Sequence, residues 1–104
     1  MLPDIESHRP ALAELCRRFA VRRLELFGSA ARGDFDPARS DLDFLVDFAP
    51  DASVPALAAY FDLKEGLETL FGRRVDLVMP RAVRNPFVQA SIDRSRRTIY
   101  AARA

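Results

Sequence analysis

The sequence predicts an α/β (α+β) fold in which a small mixed β-sheet is flanked by helices, with residues 1–104 forming one minimal domain. Three observations predict it. Apolar residues recur at three- and four-residue spacing over 9–20, 57–71 and 86–96, the period of amphipathic helices. Segments 21–27, 41–48 and 73–78 are short, bounded by turn-formers and patterned with period two, as strands are. The order helix, strand, loop, strand, helix, strand, helix contains no internal repeat, and a chain of 104 residues matches one domain of roughly 100–150 residues.

Each element has its own local reason. Leu12, Leu15, Cys16, Phe19 and Ala20 fall on one side of the first helix. Leu24 and Leu26 alternate in the first strand, which ends at Gly28-Ser29, and a short helix is expected through Ala30-Ala31-Arg32. Gly33, Asp34, Asp36, Pro37 and Ser40 then read as a loop, with Asp34 and Asp36 as turn residues. In 41–48 the even positions are Leu, Phe, Val and Phe while the odd ones are Asp, Asp, Leu and Asp, so Asp41 and Asp43 point the same way. Ser53 is a candidate N-cap for the second helix, marked by Leu57, Tyr60, Phe61, Leu63, Leu67, Leu70 and Phe71, and Gly72 is its candidate C-cap. In the third strand Val75 and Leu77 share one side and Asp76 leaves from the other, and Pro80 ends it. Asn85-Pro86 supplies an N-cap and a first-turn proline for the last helix, followed at helical spacing by Val88, Ile92 and Ser95. Ile99 and Tyr100 either add a short terminal strand or dock on the core.

Composition narrows the function classes. An apolar fraction of 49% and a charged fraction of 30% are those of a chain that packs a core. No apolar run reaches the roughly 18–20 residues that span a bilayer, and the acidic N-terminal stretch differs from a signal peptide, so a cytoplasmic protein without a membrane partner is expected. Cys16, the one cysteine, reads as a core thiol, and His8 has no second His or Cys at ligand spacing. The net charge of +1 is unevenly distributed, with 13 acidic and 8 basic residues in 1–72 against 2 and 8 in 73–104. A basic end meets phosphates or an acidic partner, which is too little to predict direct nucleic-acid binding. Exposed arginine leaves room for a homo- or hetero-oligomer.

The chemistry resides in a constellation. Asp41, Asp43 and Asp76 sit on two predicted strands, opposite the core-facing apolar residues. Aspartate is disfavoured in strands, so two alternating in the clearest strand of the chain require a compensating cause, and a bound cation would relieve their repulsion. Carboxylate oxygens suit Mg²⁺, which prefers one or two carboxylates plus substrate phosphates and water. Two such ions hold the attacking and leaving oxygens of an in-line phosphoryl displacement, with Asp41 and Asp43 placed to bridge them and Asp76 to bind the one nearer the acceptor and assist removal of its hydroxyl proton. The Gly28-Ser29 turn offers unpaired backbone N–H groups to a triphosphate, and Arg32 is a weaker candidate for a phosphate contact. Asp47 shares the acidic face but lies farther along, so an exposed or salt-bridged role is expected. Tyr60 and Tyr100 read as packing residues.

Gly28-Ser29-Ala30-Ala31-Arg32-Gly33-Asp34-Phe35, followed by Ser40-Asp41-Leu42-Asp43-Phe44-Leu45-Val46, resembles the GS…DxD motif of the DNA polymerase beta-like nucleotidyltransferase superfamily. Arg74-Val75-Asp76-Leu77-Val78 resembles its third motif, whose aspartate completes the metal triad. The similarity, from about Leu12 to Tyr100, is greatest to the minimal nucleotidyltransferases of bacteria and archaea, the MNT antitoxins of HEPN/MNT toxin–antitoxin systems. It implies a nucleotidyltransferase fold, ATP as substrate, Mg²⁺ as cofactor, and a cognate HEPN-domain toxin whose tyrosine hydroxyl receives AMP. One departure stands out: eleven residues, 30–40, separate Ser29 from Asp41 where the common spacing is ten, and the extra one falls in a loop where an insertion costs little.

Two further readings compete with the enzyme. A non-catalytic antitoxin of the same fold would neutralise a HEPN ribonuclease by complex formation alone. Transfer to an antibiotic or other small molecule resembles related enzymes that carry a second, helical domain, for which 104 residues leave no room.

Overall fold

A computed structural model describes residues 5–28, 31, 41–49 and 56–102. Their element order is a 3-10 turn at Glu6–His8, α1 at Arg9–Arg18, β1 at Val21–Phe27, β2 at Leu42–Phe48, α2 at Ala56–Phe71, β3 at Val75–Val78, a 3-10 turn at Pro80–Ala82, α3 at Pro86–Ser95 and β4 at Arg97–Ala101. The expected Ser53 cap, the short helix through Ala30 and Arg32, and the 33–40 loop with Asp34 and Asp36 lie outside the described residues.

The four strands form one mixed sheet in the order β3-β2-β1-β4. β1 pairs antiparallel with both β2 and β4, and β2 pairs parallel with β3. The parallel pair follows from α2, which carries the chain back across the sheet as such a crossover requires. The open choice at Ile99 and Tyr100 resolves as a strand: Leu24 is paired with Tyr100, and Ile99 is buried. Arg9 donates to the Ile99 carbonyl at 3.0 Å, covering part of that edge.

The core lies between one face of the sheet and helices α1 and α2. Leu12 and Cys16 from α1, Leu24 and Leu26 from β1, Leu42, Phe44 and Val46 from β2, Leu63 and Leu67 from α2, and Val75 and Leu77 from β3 are all buried in one cluster. The alternation read in the sequence is therefore the core-facing row of each strand. Full burial of each such side chain stabilises by roughly 1.5–3 kcal/mol. Leu57 and Phe61, which share the helical pattern of α2, are exposed: they lie four residues apart on another face of the helix than the buried row Ala59, Leu63 and Leu67.

Termini are set by local chemistry. α1 stops two residues short of the expected 20 because Phe19 caps it and Ala20 enters the left-handed region at φ 56°; there the Ala20 carbonyl accepts from Ala49 N–H at 2.8 Å. Gly72 ends α2 with φ 66°, its N–H donating to the Glu68 carbonyl at 2.8 Å. Asn85 Oδ1 accepts from Phe87 N–H at 2.9 Å, the N-cap anticipated for α3. The Glu68 carboxylate accepts from Val75 N–H at 3.1 Å, and this bond, then Lys64, holds it below the usual carboxylate range. It ties α2 to the start of β3, one residue before Asp76.

Among the described residues no helix is long and apolar enough to cross a membrane. Cys16 is fully buried, and burial pushes its thiol up to about 12. His8 packs on Phe71 in a tilted arrangement with ring centroids 5.0 Å apart. Tyr60 donates to the Leu77 carbonyl at 2.7 Å, and Asp47 is paired with Arg22, the salt-bridged role expected of it.

Candidate active site

The sheet register brings the acidic residues toward the end of β1. Phe27, the last residue of that strand, is paired with Asp43, and Asp43 is paired with Asp76 across the parallel ladder. Directly paired positions send side chains to the same face, and neighbouring strands lie about 4.8 Å apart, so Asp43 and Asp76 are register neighbours on the face away from α1 and α2. Asp41 immediately precedes β2, where Leu42 N–H donates to the Arg74 carbonyl at 3.2 Å and continues the ladder. Two residues from Asp43, it belongs to the same side. Asp41 and Asp43 are half-buried and Asp76 is exposed.

Gly28 follows β1 with φ 73°. A Cβ at this position would come under 3.0 Å from Asp43 Oδ2 and 3.1 Å from its Cγ. An L side chain is strained at that φ, and the Asp43 carboxylate would have to swing away to admit its Cβ. Gly28 and Asp43 are thus packed against each other. Ser29 and Arg32 lie outside the described residues.

One expectation about this turn is corrected. The Gly28 N–H is not unpaired: it donates to Ser95 Oγ at 3.1 Å. The cause is tertiary, since α3 returns over the acidic face and its last residue reaches the turn. Leu45 and Ile92 are buried on this second side, which is therefore partly covered rather than wholly solvated.

A charged anchor accompanies that contact. Glu25, whose side chain is 7% exposed, accepts two hydrogen bonds from Arg96, at 2.8 Å from Nε and 2.6 Å from the second guanidinium nitrogen. Those bonds outweigh burial and hold the Glu25 carboxyl below its usual range, and Arg96 also donates to Asp93 at 2.9 Å. The sequence reading missed Glu25, Arg96 and the hydroxyl role of Ser95. A signal existed for Glu25, an acid between Leu24 and Leu26 inside a strand, but its counter-charge lies 71 residues away.

The three aspartates do not form a closed cage: among the described residues no group of three or more His, Cys, Asp and Glu side chains is gathered to hold a metal ion. The donor chemistry still suits Mg²⁺, which takes one or two carboxylates and completes its shell with phosphate oxygens and water. An open groove of about 500 Å³ lies elsewhere, lined by residues of α1 and α2 such as Glu14, Phe19, Asp62 and Glu65.

The pattern of the nucleotidyltransferase domain matches residues 9–102, nearly the whole chain. The chain belongs to the nucleotidyltransferase domain family. This nucleotidyltransferase is 44% identical over 85 residues to the protein adenylyltransferase MntA of Thermococcus cleftensis, covering 81% of this chain and 82% of the relative. It is similar to a solved structure described as a minimal nucleotidyltransferase, with a TM-score of 0.73, 35% identity, and coverage of 93% and 95% of the two chains. It also shares its fold with a structure of a tri-AMPylated Shewanella oneidensis HEPN toxin in complex with an MNT antitoxin, at a TM-score of 0.63 and 18% identity over 94% of this chain and 73% of that one.

Proposed function

We propose that this nucleotidyltransferase transfers AMP from ATP to a protein hydroxyl, a tyrosine of a cognate HEPN-domain toxin, and so acts as a cytoplasmic antitoxin. Asp41, Asp43 and Asp76 are the catalytic and metal-holding residues, and Gly28, Ser29 and Arg32 the nucleotide-binding ones. The single observation that carries the reading is the parallel register of Asp43 with Asp76, with Gly28 seated against the Asp43 carboxylate. The identity of the transferred group and of the acceptor is supported by the adenylyltransferase name of the Thermococcus relative and by the AMPylated HEPN toxin in the similar solved complex.

In this reading Mg²⁺, two ions in the full arrangement, supplies charge neutralisation to the triphosphate and to the oxygens being exchanged. The carboxylates of Asp41 and Asp43 hold the cation, and Gly28 lets the backbone approach without a side chain in the way. Asp76, the exposed member, faces the acceptor and takes its hydroxyl proton directly or through water. The tyrosine oxygen forms a bond to the α-phosphorus, the bond from that phosphorus to the bridging oxygen breaks, and pyrophosphate leaves.

The test is the intact mass of the neighbouring gene's HEPN product after incubation with this protein, Mg²⁺ and each nucleoside triphosphate. Gain of one or more adenylyl groups with ATP, abolished by Asp41→Ala/Asp43→Ala, is expected. No gain with any nucleotide refutes transfer. Protection of cells by the double variant would replace the enzymatic reading with neutralisation by binding.

A further inference from the structure

Resting on that reading, we infer that Ser95 is a positioning residue for the nucleotide-binding turn, its hydroxyl setting where Gly28 lies against Asp43. Three features of its geometry define the role. The hydroxyl proton has an acceptor within its own helix, the Ser91 carbonyl at 3.1 Å. That leaves an oxygen lone pair for the Gly28 N–H, which it accepts at 3.1 Å. Ser95 is buried, so water does not readily substitute for it.

The next residue fastens the same point a second time. Arg96 binds Glu25 bidentately on β1, three residues before Gly28, and its own N–H donates to the Ile92 carbonyl at 2.8 Å. The end of α3 is therefore joined to β1 twice, once by charge and once by the hydroxyl, on either side of Phe27. Arg96 fixes the distance between helix and strand. Ser95 fixes the orientation of the Gly28 peptide, because its N–H is directed at one buried hydroxyl oxygen held in place by its own bond to Ser91. With its N–H committed to Ser95, Gly28 contributes its missing side chain and its backbone path to the site.

Ser95→Ala deletes one oxygen and releases the turn, whereas Ser95→Thr keeps the acceptor. Asn85→Ala serves as control: it removes a hydrogen bond at the opposite end of α3, where Asn85 Oδ1 caps Phe87 N–H at 2.9 Å, and weakens the helix comparably without touching Gly28. Two quantities are measured on the full chain: the dissociation constant of Mg²⁺ with a non-hydrolysable ATP analogue, and the hydrogen-exchange rate of the Gly28 amide. Loss of one hydrogen bond corresponds to about a fivefold change. Ser95→Ala should weaken analogue binding and accelerate Gly28 exchange by at least about that factor. Asn85→Ala should leave both close to wild type, and Ser95→Thr should restore both.

Unchanged Gly28 exchange in Ser95→Ala overturns the inference whatever happens to binding. Equal loss of binding in Asn85→Ala overturns it too, since the effect would then be helix stability. If the wild-type chain binds no analogue, the proposed function falls and the nucleotide role of Ser95 with it. Binding by wild type with no loss in Ser95→Ala removes this inference alone.

Discussion

Gly28→Ala perturbs the contact between Gly28 and Asp43, and its cost can be worked from the geometry. The residue has φ 73°, where an L side chain costs roughly 1–2 kcal/mol. The added Cβ would lie under 3.0 Å from Asp43 Oδ2 and 3.4 Å from Asp43 Cβ, so the carboxylate must be displaced, an overpacking cost of about 1–3 kcal/mol. The sum is about 2–5 kcal/mol, roughly twice the effect of the same change at Gly72. Gly72 has nearly the same φ, 66°, but nothing lies within 4 Å of its Cβ position, so Gly72→Ala isolates the backbone term at about 1–2 kcal/mol. A double-mutant cycle separates the rest. In an Asp43→Ala background the colliding carboxylate is gone, and Gly28→Ala should cost little more than Gly72→Ala, a coupling of roughly 1–3 kcal/mol. The assay is urea unfolding of the four combinations at positions 28 and 43, with Gly72→Ala alongside. Additive effects at 28 and 43, or a Gly72→Ala penalty as large as that of Gly28→Ala, would refute the argument that Asp43 packs on this glycine.

Other consequences are testable on the same material. Arg96→Met strands Glu25 without its bidentate partner and should cost about 2 kcal/mol at neutral pH, below the usual figure for a buried pair because the arginine end is 35% exposed. Since Arg96 depresses the folded-state Glu25 carboxyl, the pair's contribution is present above the ordinary carboxyl value of 4.5 and is lost as pH falls through the lower folded value. The gap between wild type and Arg96→Met in urea titrations should therefore narrow as pH is lowered past 4.5, and a gap that widens contradicts it. Ala20→Gly relieves a left-handed alanine at φ 56° and should stabilise by up to about 1 kcal/mol, read as a rise of a few degrees in Tm. Cys16, fully buried with its thiol pushed up to about 12, should resist a thiol reagent in the native protein and react once urea unfolds it.

Local periodicity was enough to determine most of the elements. β1 covers 21–27 as the Leu24 and Leu26 alternation predicts, and the period-two row of β2 and the helical stripe of α2 locate core residues because one face of each element must leave water. The Asn85 cap and the Gly72 stop were legible too, since each is a contact between residues within four positions of one another. The aspartates were legible as a pattern, residue types ill-suited to strands recurring at strand spacing.

Tertiary structure alone decided what depends on long-range pairing. Whether Ile99 and Tyr100 form a strand turns on the free edge of β1, about 75 residues earlier, which local propensity does not see. The Asp43–Asp76 neighbourhood required β2 and β3 to be parallel and in one particular register, and a slip by one residue would have sent Asp76 to the core face. Ser95 and Arg96 reach Gly28 and Glu25 only because α3 folds back over the acidic face, bringing a hydroxyl and a guanidinium from the far end of the chain. Periodicity records which way a side chain points along its own element; which partner waits there is set by how the elements pack.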